Sequence, residues 1–249
     1  MMAVLEDGIA AFRRHMAPQA VASILAATCR WVDPATFALL PVWHPYTARK
    51  EPLYSEGWTR PMTNRDAAKF ERNTAANKTL TEALGLRGKG RTNWTCCHVW
   101  GNDDALFKSC RSEVNDPRFY TCPANMVLLP TPLKAFTDAV PEVKAALRYG
   151  ARVLYGFWPE SRAEPDANAA GCYLPDSWRA APGFPGVMAQ SGLVDRTARL
   201  RASQLSALMS ARPRYFPYAK AREAVLYWQR TCPGSLLDGI LLSDEGAVP

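Results

Sequence analysis

Asn93-Trp-Thr-Cys-Cys-His98-Val-Trp-Gly101 is the stretch on which the fold turns. Its β-branched and aromatic residues favour a strand, and period-two geometry puts Trp94, Cys96, His98 and Trp100 on one face. His98 is one of three histidines in 249 residues. Asn125 follows 27 residues later in Pro123-Ala-Asn125-Met-Val-Leu-Leu-Pro130, and Met126–Leu129 reads as a second strand. Thr131 then caps a helix opened by Pro132, with Lys134 in its first turn. A strand, a returning strand and a helix are therefore expected around His98.

On the N-terminal side, residues 18–28 predict a short apolar helix with Pro18 at its first turn. The Pro- and Trp-rich segment from Asp33 to Pro61 predicts packed irregular chain. Residues 65–84 predict a helix, from the spacing of Ala67, Ala68, Phe70, Ala75, Leu80, Ala83 and Leu84, with Asn64 as cap and Gly85 as stop. Arg87-Gly-Lys89-Gly-Arg91 predicts a mobile basic loop, and Gly101-Asn-Asp-Asp104 a turn. Arg118–Thr121 predicts a further short strand. On the C-terminal side, Pro141 opens a helix running to about Arg152. Residues 159–192, rich in Pro, Gly and Ala, read as an excursion or linker. Two helices follow, roughly 194–211 and 217–230, joined at Arg212-Pro213-Arg214. The expected segments are 1–64, 65–158, 159–192 and 193–249, in an α+β fold whose small strand–strand–helix core is embedded among helices.

With 48% apolar and 21% charged residues the chain is globular. Its net charge of +7 is concentrated. Between Asp195 and Arg230, eight basic residues face two acids, an excess of +6. Such a surface suits a polyanion, and it equally suits a solvated helical face. Leu200, Leu205 and Leu208 between Arg196, Arg199 and Arg212 make the first of these helices amphipathic. No apolar run is long enough to cross a membrane. The start Met-Met-Ala-Val-Leu-Glu-Asp lacks the pattern of a secretory signal, so a cytoplasmic location is expected, with seven cysteines as thiols or metal ligands.

Cys97-His98-Val-Trp followed by Asn125-Met-Val-Leu-Leu-Pro-Thr-Pro-Leu-Lys134 resembles the core of the HNH, or ββα-metal, endonucleases of the restriction or defence type. The resemblance covers about residues 77–155. It implies cleavage of DNA phosphodiesters with a divalent metal, Mg²⁺ or Mn²⁺. His98 takes the position of the general base. Asn125 takes that of the residue that holds the His hairpin or joins the metal shell. Lys134 stands where the family usually has His or Asn, and Cys97 where an Asp or His often ligates the metal. Asp104 is the acid that could supply a missing oxygen ligand, although Asn102-Asp-Asp104 is also what a solvent turn looks like. Arg87, Lys89, Arg91, Arg118, Arg196, Arg199, Arg212 and Arg214 are the expected DNA contacts. Cutting both strands of a duplex would call for a homodimer.

Two alternatives stand beside this expectation. His98 between tryptophans fits a core histidine, and the departures at Cys97 and Lys134 fit a catalytically inactive nucleic-acid-binding protein on the same scaffold. Cys96, Cys97, Cys110 and Cys122 around His98 also raise a structural Zn²⁺ in an interaction protein. The adjacent Cys-Cys pair argues against zinc, because neighbouring strand side chains point to opposite faces.

Overall fold

The computed structural model describes residues 5–49, 62–64, 67–69, 73–86, 88–101, 112–160, 162, 174–180, 183–214 and 216–242. Helix α1 (Gly8–Arg13) is capped by Asp7, whose carboxylate accepts the Ile9 and Ala10 amides. Helix α2 (Pro18–Thr28) begins with proline in its first turn and buries Val21, Ala22, Leu25 and Ala26, one stripe at helical spacing. Strand β1 (Trp31–Val32) is followed by α3 (Pro34–Leu39), which Asp33 caps through the Ala35 amide.

An antiparallel hairpin, β2 (Met62–Asn64) with β3 (Ala67–Lys69), comes next, and helix α4 spans only Thr74–Ala83. The helix expected over 65–84 is therefore shortened at its start. Asn73 sits at φ 64°, in the left-handed region, so a right-handed helix cannot run through it. Gly85, at φ 67°, stops α4 as expected.

Strand β4 (Trp94–His98) pairs antiparallel with β5 (Met126–Pro130), with His98 opposite Met126 and Trp94 opposite Pro130. The run Arg118–Thr121 forms turns instead of a strand, because the Asp116 carboxylate folds back onto the Arg118 amide at 2.8 Å. A 3₁₀ turn over Thr131–Leu133 leads into α5 (Lys134–Ala139), then α6 (Pro141–Tyr155). Helix α6 buries Val143, Ala146, Leu147, Gly150, Ala151 and Leu154 and ends at Gly156, φ 65°.

Strand β6 (Val187–Met188) pairs parallel with β1. The described part of 159–192 is thus packed structure and not a linker. Trp178 and Phe184 stack at 5.5 Å, and both meet Trp31 edge-on at 5.7 and 5.9 Å. Burial of those rings outweighs the local Pro/Gly composition. Gly186 makes the approach possible: a Cβ there would lie 2.3 Å from the Cys29 carbonyl. Helix α7 (Gly192–Ala211), capped by Ser191, packs on α4 through a bidentate Arg201–Glu82 pair. Helix α8 (Tyr218–Thr231) completes the chain's described helices above one turn.

The result is a mixed, mostly helical fold with small sheets. One apolar cluster runs from Val21 to Ile240 and draws on all four expected segments, so their boundaries do not separate cores. Strand β5 lies at its centre. One edge pairs with β4, and the other receives Arg30, whose amide and carbonyl bond the Leu128 backbone at 2.7 and 3.0 Å. Among the described residues no helix is long and apolar enough to cross a membrane.

Candidate active site

His98 ends β4, and the chain must return to start β5 opposite it. Asn125 organises that return. Its backbone carbonyl accepts the Val99 amide at 2.9 Å, and its side-chain Oδ1 accepts the Trp100 amide at 2.8 Å. Its Nδ2 donates to the carbonyls of Phe119 at 3.2 Å and Trp100 at 3.5 Å. The side chain is fully buried, which makes it a brace across the loop mouth. It does not line the pocket described below, so the metal-shell role expected for it has no geometric basis. Trp100 is held further by the guanidinium groups of Arg148 and Arg162, 4.2 and 5.0 Å from its ring centre.

The His98 ring stacks on Tyr120 at 5.2 Å, and its Nε2 lies 3.0 Å from the Tyr120 carbonyl oxygen. A carbonyl only accepts, so Nε2 carries the proton and Nδ1 keeps its lone pair. His98 is itself one of the residues that line a pocket. Burial pushes the imidazole pKa down to about 3, assisted by the positive charges of Arg49, Lys144 and Lys134 and opposed by the Tyr120 carbonyl. The ring is neutral at pH 7.

The pocket, small and open to solvent, is lined by Arg49, Asn73, Cys96, His98, Gly101, Val114, Lys134 and Lys144. Six separate parts of the chain bring these groups together. Arg49 lies six residues past Trp43; its amide bonds the Val114 carbonyl at 2.8 Å, and its guanidinium bonds Asn73. Asn73 also accepts the Tyr120 hydroxyl at 3.4 Å, which links Arg49 to the residue that orients His98. Lys134 opens α5 and pairs with Asp138 one turn on. Lys144 comes from α6 and is 3% exposed; its Nζ donates to the His98 carbonyl at 2.7 Å and approaches Cys97 Sγ at 3.7 Å. Cys97 faces away from the pocket, its sulfur 3.4 Å from Thr137 Oγ1, as strand alternation requires.

His98 and Lys134 are thus brought to one pocket, with Asn125 behind them. Asp104 lies outside the described residues, as do Arg87 and Cys110. Arg49, Asn73 and Lys144 were not anticipated. Lys144 carries a readable signal, a lysine on the buried stripe of α6 between Val140 and Leu147. Arg49 and Asn73 carry none, because only tertiary contacts bring them here.

The expected metal fits poorly. Mg²⁺ and Mn²⁺ want several oxygen donors, usually with carboxylates. The pocket's described lining instead holds one imidazole nitrogen, a thiol and an amide oxygen already bonded to Arg49, beside three cations. No three His, Cys, Asp or Glu side chains converge among the described residues. Burial pushes the Cys96 and Cys122 thiols up to about 12, which disfavours the thiolates that zinc needs.

The expected DNA contacts divide. Lys89 lies in a 3₁₀ turn, Gly88–Arg91. Arg91 folds against α4, bonding Asn77 O at 2.8 Å and Thr81 Oγ1 at 2.5 Å, so this end of the basic loop is pinned. Arg118 is paired with Asp116 and lies 5.1 Å from the Phe119 and Tyr227 ring centres. Arg212 covers Tyr218 at 3.9 Å. Arg199 pairs with Asp195, while Arg196 and Arg214 are exposed. No protein-family model, curated protein or solved structure matches the chain.

Proposed function

We propose that the protein hydrolyses phosphodiester bonds of DNA, with His98 as the general base of a ββα-type nuclease core formed by β4, β5 and α5. The observation that carries this reading is a neutral imidazole, its proton held on Nε2 by the Tyr120 carbonyl, in the lining of a pocket with Arg49, Lys134 and Lys144. Nδ1 takes a proton from water, and the water oxygen forms a bond to phosphorus as the bond to the leaving oxygen breaks. The cations offset the charge that builds on the phosphoryl oxygens, and the leaving oxygen takes its proton from solvent. Phosphate charge among the cations also offsets what holds down the basicity of His98, so the base strengthens when substrate is bound. Asn125 acts through position, by fixing the loop that carries Tyr120. Exposed arginines such as Arg196 and Arg214 would meet the DNA backbone, and a homodimer would place one site on each strand.

Plasmid nicking by wild type and His98→Ala tests this reading, with DNA binding measured in parallel. The expected result is cleavage reduced about 10²- to 10⁴-fold with binding retained. Equal cleavage by the variant would sink it. The depressed basicity of His98 favours one second reading, a DNA-binding protein that does not cut. Salt-sensitive binding without nicking under any ion would establish that instead.

A further inference from the structure

We infer that the pocket beside His98 takes a phosphate group on Arg49, Lys134 and Lys144 without a divalent cation. The cleavage expected at this site rests on the nuclease reading above; the phosphate site itself does not.

Three observations support it independently. The described lining carries three cations and no carboxylate, which attracts a phosphate and repels Mg²⁺. Two of the cations are held before any ligand arrives: Arg49 through its amide to Val114 and its guanidinium to Asn73, Lys144 through the His98 carbonyl. Cations fixed in this way stabilise an anion without the cost of ordering flexible side chains. Finally, the Arg49 Nε–H is sealed from solvent and has no acceptor. A desolvated donor without an acceptor is a standing cost, so a shift of the guanidinium that brought this N–H to a phosphate oxygen would be favourable. Arginine matches two phosphate oxygens at once, whereas each lysine meets the charge as a point.

In its described lining the site is the reverse of a metal centre. Carboxylates around a metal draw the metal first and the phosphate second; here fixed cations draw the phosphate directly. His98 sits at its edge with a lone pair in place of a proton, so the imidazole reports on what enters.

The test titrates inorganic phosphate into the full chain in excess EDTA, following the His98 imidazole nitrogens by NMR. A saturable His98 response is expected, weakened at least tenfold in Arg49→Gln. Lys144 is buried and its replacement risks the fold, so Lys134→Gln serves as the second variant and is expected to weaken binding severalfold. A response that needs added Mg²⁺ or Mn²⁺, or that neither variant alters, overturns the inference. Plasmid nicking in EDTA judges the catalytic reading separately. Nicking that His98→Ala loses supports that reading, while phosphate binding without any nicking overturns it and leaves the phosphate site standing.

Discussion

The two edges of β5 are buried to a similar degree and built on opposite principles. Beyond the Arg30 edge, Trp31, Trp178 and Phe184 fill space with rings, and Trp31 and Trp178 are fully buried. At the β4 edge, His98, Asn125 and Lys144 are nearly as buried, yet each holds a polar group on a named backbone atom. Burial stabilises the first edge directly. At the second it imposes desolvation costs that backbone hydrogen bonds offset, and it leaves a depressed imidazole beside fixed charges. Ionisable groups buried in this way next to a solvent-open pocket are what the proposed function builds on.

The comparison can be broken by exchanging the expected outcomes. If the protein cuts DNA as proposed, removing His98 should cost about 10²- to 10⁴-fold in cleavage, against a stability loss of only about 1–3 kcal/mol from the Tyr120 carbonyl that loses its donor. Trp178→Ala should do the opposite. It empties a fully buried indole site and should cost about 3–5 kcal/mol by denaturant unfolding, with DNA affinity retained in the remaining folded protein. If Trp178→Ala left stability intact, the apolar edge would not be structural.

Asn125→Ala lies between the two. It strips the Trp100 amide of its acceptor, while the Phe119 carbonyl keeps the Cys122 amide, so one buried group is left unsatisfied at a cost of about 1–3 kcal/mol. Because the same loop carries Tyr120, cleavage should fall as well. A variant that lost stability but kept full activity would remove Asn125 from the site.

Acid sharpens the contrast further. His44 and His98 are both pushed down to about 3 from the ordinary 6.5, in each case first by burial. Between those values the unfolded chain binds protons that the folded chain refuses. Their contribution is whole above about pH 6.5 and is lost as pH falls toward 3, at about 1.4 kcal/mol per pH unit for each histidine. Urea unfolding at pH 7 and pH 4.5 should show this loss, and His44→Phe should shrink it. Stability flat across that range would contradict the burial of both rings. At the small end, Arg199→Ala removes only an exposed pair with Asp195 and should leave the melting temperature unchanged.

Sequence patterning made much of the site's scaffold legible. Proline at the first turn and periodic apolar residues marked α2 and α6, and strand chemistry marked Trp94–His98 and Met126–Leu129. What stayed hidden depends on contacts distant in sequence. The apolar spacing of 65–84 suits a helix, but left-handed Asn73 and the preceding hairpin divide it. The Pro- and Gly-rich stretch around Trp178 reads as linker until its rings meet Trp31, more than 140 positions away. Arg49 and Asn73 are likewise ordinary in sequence and acquire meaning only beside His98.

The nitrogen-15 spectrum of histidine-labelled protein, taken across pH, tests the central claim most directly. His98 should appear as the neutral tautomer protonated on Nε2, unchanged from pH 8 to near pH 4 in the free protein. A His98 protonated on Nδ1, or one titrating near the ordinary 6.5, would contradict the account.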